Sequence, residues 1–131
     1  MEFSAGIHTL PATDPRPTPD DWTDPRVRVF EVNTGRATDR TAIMHAFAQA
    51  VPLEPPTGGR SWDAFSDSLW QGLYKLDETR VVILLRGEYW VNQPQGEVQT
   101  ALDVLQEVAI LLEEESATVG KPTTLCVLLH D

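Results

Sequence analysis

The sequence predicts a small α/β domain, a three-stranded parallel sheet covered by helices, from three observations. Two runs are apolar almost without interruption: Arg80-Val81-Val82-Ile83-Leu84-Leu85-Arg86 and Leu125-Cys126-Val127-Leu128-Leu129. Such runs suit parallel strands covered on both faces. The segments between them carry apolar residues at helical spacing. The resulting order is strand, helix, helix, strand, helix, strand, which right-handed crossovers turn into one parallel sheet. At 131 residues and 41% hydrophobic composition the chain suffices for one domain with a real core.

Residues 1–25 read as a proline-rich acidic N-terminal arm, and 26–131 as the folded body. Pro11, Pro15, Pro17, Pro19 and Pro25 alternate with Asp14, Asp20, Asp21 and Asp24, a pattern that resists helix and sheet alike. Phe3, Ile7, Leu10 and Trp22 would let the arm pack along the body, and His8 is expected to be exposed. Val27 to Val32 has the branched and aromatic residues of a strand, closed by the turn Asn33-Thr34-Gly35. Thr38 or Asp39 then caps a helix running to about Val51, with Ile43, Ala46, Phe47 and Ala50 on its apolar face. His45 falls beside that face and reads as structural. Pro52, Pro55 and Pro56 followed by Gly58 and Gly59 form a stiff-then-flexible loop.

The central helix starts after Ser61, whose hydroxyl suits an N-cap. Trp62, Phe65, Leu69 and Leu73 fall on one stripe and face the core, whereas Asp63, Ser66, Asp67 and Trp70 share the opposite, exposed stripe. After the apolar strand, Tyr89 and Trp90 are expected to pack under a short turn. Gly96 to about Ser116 is the longest helix, burying Val98, Ala101, Leu102, Leu105, Ala109 and Leu112. The last strand covers Thr123 to Leu129.

Net charge is −10, which repels phosphate backbones and argues against direct nucleic-acid binding. It favours fast, salt-sensitive association with a basic partner. Cys126 is the only cysteine, so no intrachain disulfide forms, and its apolar setting makes it a small buried side chain. No basic patch followed by an apolar run marks a signal peptide, and no apolar segment approaches the ~20 residues of a membrane span. A cytoplasmic protein is expected. Three scattered histidines and one cysteine do not make a metal site, and no cofactor is expected. No phosphate-binding glycine motif or nucleophile elbow occurs.

An indole beside two carboxylates on a solvated helix face suggests a surface that something cationic covers, the alternative being that Trp70 is covered by the arm or by Tyr74. The pattern Gly59-x-x-Trp62-Asp63-Ala64-Phe65-x-Asp67-x-Leu69 resembles the central helix of barstar-like ribonuclease inhibitors, where a Gly precedes a helix reading roughly N-L-D-A-L-W-D-x-L and a strand follows. From about Arg26 to His130 the element order matches as well. The resemblance implies an inhibitor, not an enzyme, that binds a basic guanyl-specific microbial ribonuclease one-to-one; the acidic charge and the absence of a long exposed apolar strand lean towards a monomer when free. Its biological role would be protection of the producing cell. Asp67 would be the dominant carboxylate, reaching where substrate phosphate normally sits, with Asp63 one turn earlier. Thr57, Gly58, Gly59 and Arg60 would lie against the enzyme's rim, and Glu107 on the long helix would make a peripheral acidic contact. Ser66 stands where the family has a large aromatic, Trp70 takes over the aromatic contact, and Gln71 completes the partner-facing set. Two rivals stand beside this reading: a barstar-fold interaction module that no longer inhibits a ribonuclease, and a small hydrolase using the Asp63 and Asp67 pair.

Overall fold

Strand β2 (Val27–Asn33) pairs in parallel with β3 (Arg80–Arg86), which pairs in parallel with β4 (Thr124–His130). The computed structural model describes residues 5–10, 17–54, 61–91, 94–114 and 118–130. These three strands are the ones the sequence predicts. A fourth, β1 (Gly6–Thr9), comes from the proline-rich stretch and pairs in parallel with the outer edge of β4. The sheet order is therefore β1-β4-β3-β2. The sequence expectation that the arm resists regular structure fails at β1 and at a single 3₁₀ turn, Pro19–Asp21. The prolines begin after β1, and its four residues need only the open edge of β4 as a template.

Helices α1 (Arg40–Ala50), α2 (Trp62–Tyr74) and α3 (Gly96–Glu113) begin as the sequence predicts. The Asp39 side chain accepts from the Ala42 N–H, and Ser61 Oγ accepts from the Ala64 N–H, so α1 and α2 each have a side-chain cap. Helix α3 ends at Glu113, short of the expected Ser116. It buries the whole predicted stripe and Val104 and Val108 besides.

The odd-numbered strand residues Val81, Ile83, Leu85, Leu125, Val127 and Leu129 meet all three helices in the main core. Phe47 and Trp62 each pack edge-on to Phe65, at 5.4 and 5.6 Å between ring centroids. On the opposite face Val82, Leu84, Cys126 and Leu128 form a smaller cluster, against which Leu10, Trp22, Val27 and Val29 pack. This asymmetry follows from crossover handedness. The steps β2 to β3 to β4 move across the sheet in one direction, so right-handed crossovers put α1, α2 and α3 on one side. The step from β1 to β2 runs back the other way, and a right-handed path then lies on the opposite face, where Leu10 and Trp22 are found. Just before β2, the Arg26 guanidinium, bonded to Asp24, holds that carboxyl below its ordinary range.

At the turn after β3 the expectation for the two aromatics divides. Trp90 is buried and donates from Nε1 to Thr34 Oγ1 at 2.7 Å, which in turn donates to the Arg86 carbonyl. Tyr89 stays 39% exposed.

Candidate acidic interaction face

Helix α2 is fixed on three sides. Its first turn is tied to α3 by Trp62, whose indole N–H donates to Glu97 Oε2 at 2.5 Å. Its inner side packs Phe65, Leu69 and Leu73 into the core. Its third side is a notch of small residues one turn apart, Ser68 and Gly72, into which the segment after α1 descends. There the Glu54 N–H donates to the Ser68 carbonyl at 3.0 Å, and a Cβ on Gly72 would stand 1.9 Å from the Pro52 carbonyl oxygen. The C-terminus of α2 is clamped as well. Lys121 donates to the carbonyls of Tyr74 and Leu76, and the Tyr74 hydroxyl donates to the Thr118 carbonyl at 2.6 Å. A cation at the negative end of the helix dipole is favourably placed, and the same ammonium lies 5.1 Å from the Tyr74 ring centroid.

The fourth side faces outward and carries the predicted residues. Asp63, Asp67 and Gln71 are exposed, while Ser66 and Trp70 are half-buried. Among the described residues neither aspartate has a hydrogen-bond or ion-pair partner. Helices α2 and α3 contain no Lys or Arg at all, so no cation on either helix offsets the acidic groups. An uncompensated pair of carboxylates one helical turn apart is mildly unfavourable within the chain, by a few tenths of a kcal/mol.

Of the two sequence readings of Trp70, open to a partner or covered by the arm or by Tyr74, the structure shows cover by Tyr74. The indole stacks on Tyr74, with ring centroids 4.9 Å apart and planes 16° apart, and its Nε1 is buried with no acceptor among the described residues. A cleft of about 310 Å³ opens beside it, lined by Ser66, Asp67, Trp70, Gln71 and Leu111. Four predicted residues are therefore brought to one cleft, whereas Asp63 lies outside its lining. Glu107 is exposed on α3, one turn before Leu111, and also lies outside the lining. Thr57, Gly58, Gly59 and Arg60 fall outside the described residues. Leu111 is the residue that sequence reasoning missed. The available signal was the width of the apolar face of α3: Ile110, 51% exposed, and half-buried Leu111 extend past the predicted stripe.

The face has acceptors and an aromatic wall but no convergent metal-ligand set; among the described residues no group of three His, Cys, Asp or Glu side chains could hold an ion. Nor is any helix among them long and apolar enough to cross a membrane. A family model described as Barstar (barnase inhibitor) matches residues 27–120, spanning β2 through α3 and the whole of this face. No curated protein and no solved structure matches the chain.

Proposed function

This chain belongs to the barstar family, and on that premise we propose that it inhibits a small, basic, guanyl-specific microbial ribonuclease. The family is one of inhibitors and not of enzymes. Asp67 enters the region of the active site that holds substrate phosphate, and Asp63 supports it one turn earlier on the same helix face. The observation that carries this reading is the pair of exposed carboxylates on a helix clamped at both ends, with no cation on α2 or α3 to neutralise them. Guanidinium and ammonium groups of a basic enzyme supply what is missing through short charge-assisted bonds. Because the helix is already fixed, little conformational entropy is lost when it docks. The net charge of −10 accelerates encounter with a cationic enzyme. Glu107, Ser66, Trp70, Gln71 and the loop residues Thr57 to Arg60 extend the same contact surface. The complex is one-to-one, the free chain is a monomer, and it acts in the cytoplasm of the producing cell.

A second reading is favoured by one specific observation. Ser66 leaves open the cleft that a large aromatic at this position would occupy, so the surface differs in shape from the family pattern. A partner other than a ribonuclease would then use the same face.

The test is titration of the chain into a panel of guanyl-specific microbial ribonucleases, following RNA cleavage at low and moderate salt. Stoichiometric inhibition that weakens as salt rises is expected. Asp67→Ala should lose about 2–5 kcal/mol of binding, a range for which barnase with barstar is itself the precedent and which is not worked from this chain. Because Asp67 is exposed and unpaired among the described residues, its removal should change stability by no more than about 0.5 kcal/mol. A folded parent that inhibits no member of the panel moves the assignment to the second reading.

A further inference from the structure

We propose that the open edge of β2 is a docking site for an acidic, extended segment of a partner protein, which joins the sheet as an added strand. This surface lies apart from the acidic face of α2, and the inference does not rest on the inhibitor reading.

The sheet order ends at β2, and among the described residues no strand lies beyond it. The Thr34 N–H donates to the Arg86 carbonyl at 2.9 Å. Main-chain groups alternate in direction along a strand, so those of Val32, Phe30 and Arg28 also turn towards β3. Val29, Glu31 and Asn33 therefore turn their N–H and C=O groups outward, and no hydrogen bond among the described residues uses them. An extended segment is what such a row of donors and acceptors binds.

Edges of this length are ordinarily blunted by a proline, a bulge or a charge standing over the strand. β2 contains no proline, and its register with β3 runs unbroken from Val27 with Arg80 to Asn33 with Arg86. Its two charged side chains are drawn back towards β3, Arg28 to Glu78 at 3.6 Å and Glu31 to Arg86 at 2.6 Å. The opposite margin of the same sheet shows what an edge here recruits. There the four residues of β1 pair in parallel with β4.

Charge selects the occupant. Residues 26–40 hold four arginines, Arg26, Arg28, Arg36 and Arg40, against Glu31 and Asp39, a net +2 within a chain of −10. All four arginines are exposed. Helices α2 and α3 contain no Lys or Arg, so a basic segment is drawn to them and an acidic one is kept off. At physiological salt such fields fade within about 8 Å, so the local stretch decides and not the net charge of the whole. The two faces of β2 set the alternation of side chains. Arg28 shares its face with Phe30 and Val32, while Val27 and Val29 border the smaller core cluster. A strand with acids on the first face and apolar residues on the second complements both. Helix α1 packs on β2, whereas α3 lies over β4 and β1, so the edge and the acidic face are open to separate partners.

The experiment uses ¹⁵N-labelled full-length chain and a capped heptapeptide that alternates valine with glutamate. One control is the same peptide N-methylated throughout, which has no ladder donors; the other has lysine in place of glutamate. The glutamate peptide should shift the amide resonances of Val29, Glu31 and Asn33 and slow their exchange with solvent at least about tenfold. Exchange at Arg28, Phe30 and Val32, already bonded to β3, should stay as it was. The lysine peptide should bind this edge at least about tenfold more weakly, and the methylated peptide should not bind it. Arg28→Gln should narrow the preference for glutamate over lysine. No protection at the three outward amides, or equal protection by the glutamate and lysine peptides, would overturn the proposal. Protection that needs no peptide and grows with protein concentration would also overturn it, by making a second copy the occupant. No ribonuclease enters this test, so its failure leaves the inhibitor reading standing, and a parent that inhibits no ribonuclease leaves the edge assignment standing.

Discussion

Gly72→Ala should destabilise the protein although the same change in most helices does the opposite. In an exposed helix interior, replacing Gly by Ala stabilises by about 1 kcal/mol, because the backbone loses less entropy on folding. Here the new methyl would stand 1.9 Å from the Pro52 carbonyl oxygen, 2.7 Å from its carbonyl carbon and 3.3 Å from Leu53 Cα. All three are main-chain atoms, so no side-chain rotation relieves the overlap. Reaching even the 3.0 Å below which such contacts essentially never fall requires a shift of about 1.1 Å, the difference between 3.0 and 1.9 Å. That shift pulls the Glu54 N–H from the Ser68 carbonyl, a bond worth about 1 kcal/mol. It also lifts Leu53, only 8% exposed, at a cost of about 1–2 kcal/mol in burial. After the helical gain is set against these losses, about 1–2 kcal/mol of destabilisation remains, within the usual range for overpacking. For a chain of this size that lowers Tm by roughly 4–8 °C. Thermal melts followed by far-UV circular dichroism, with urea titration to check that the m-value is unchanged, measure it. A Tm equal to or above that of the parent would refute the reasoning, since it would mean that the connection is not seated in the Ser68–Gly72 notch.

Other perturbations probe the remaining supports. Trp62→Phe keeps a ring against Phe65 but loses the bond to Glu97, and should cost about 1 kcal/mol in urea unfolding; in a double-mutant cycle with Glu97→Gln, additive effects would show that the two side chains do not interact. Val119 is a branched residue held at φ 51° and 84% exposed, so Val119→Gly should raise stability by about 1 kcal/mol, and a lower Tm would show that its side chain makes a contact that matters. Trp22→Ala uncovers the smaller core face, and should lower stability by about 1–3 kcal/mol and make Cys126, buried against that face, react faster with a thiol reagent. An unchanged labelling rate would mean that Trp22 does not shield the sulfur.

The main elements were legible because each carried its own local signal. Asp39 and Ser61 offered caps at the right positions, and both caps form. The apolar run of β3 announced a central parallel strand, and it pairs on both sides. The features that were not legible depend on long-range partners. Gly6 to Thr9 has no alternation of its own and becomes β1 only where the edge of β4 accepts it. Tyr89 and Trp90 look alike in sequence, but only Trp90 reaches Thr34. On the candidate face, helical spacing grouped Asp63, Ser66, Asp67 and Trp70 and put Tyr74 one turn beyond the indole, so cover by Tyr74 was one of the readings left open, and it is the one that forms. Leu111 was missed because it comes from a helix 40 or more positions away, and the breadth of the α3 apolar face does not say which neighbour its edge meets.

The pairing of β1 with β4 also bears on the order in which this chain acquires its structure. Gly6 pairs with Cys126, so the first strand to be synthesised has its partner 120 positions later. Contacts of such sequence separation close slowly, because the loop entropy is lost before the pairing returns anything. While the ribosome produces α1, α2 and β3, β1 has nothing to pair with, and Leu10 and Trp22 have no finished sheet face to cover. The unit from β2 to α3, in which Val27 pairs with Arg80, closes shorter loops than the pairing of Gly6 with Cys126 and is expected to condense before the arm seals it. Seating of β1 thus acts as a late latch, and refolding kinetics followed at Trp22 should lag behind those followed at the α2–α3 seam.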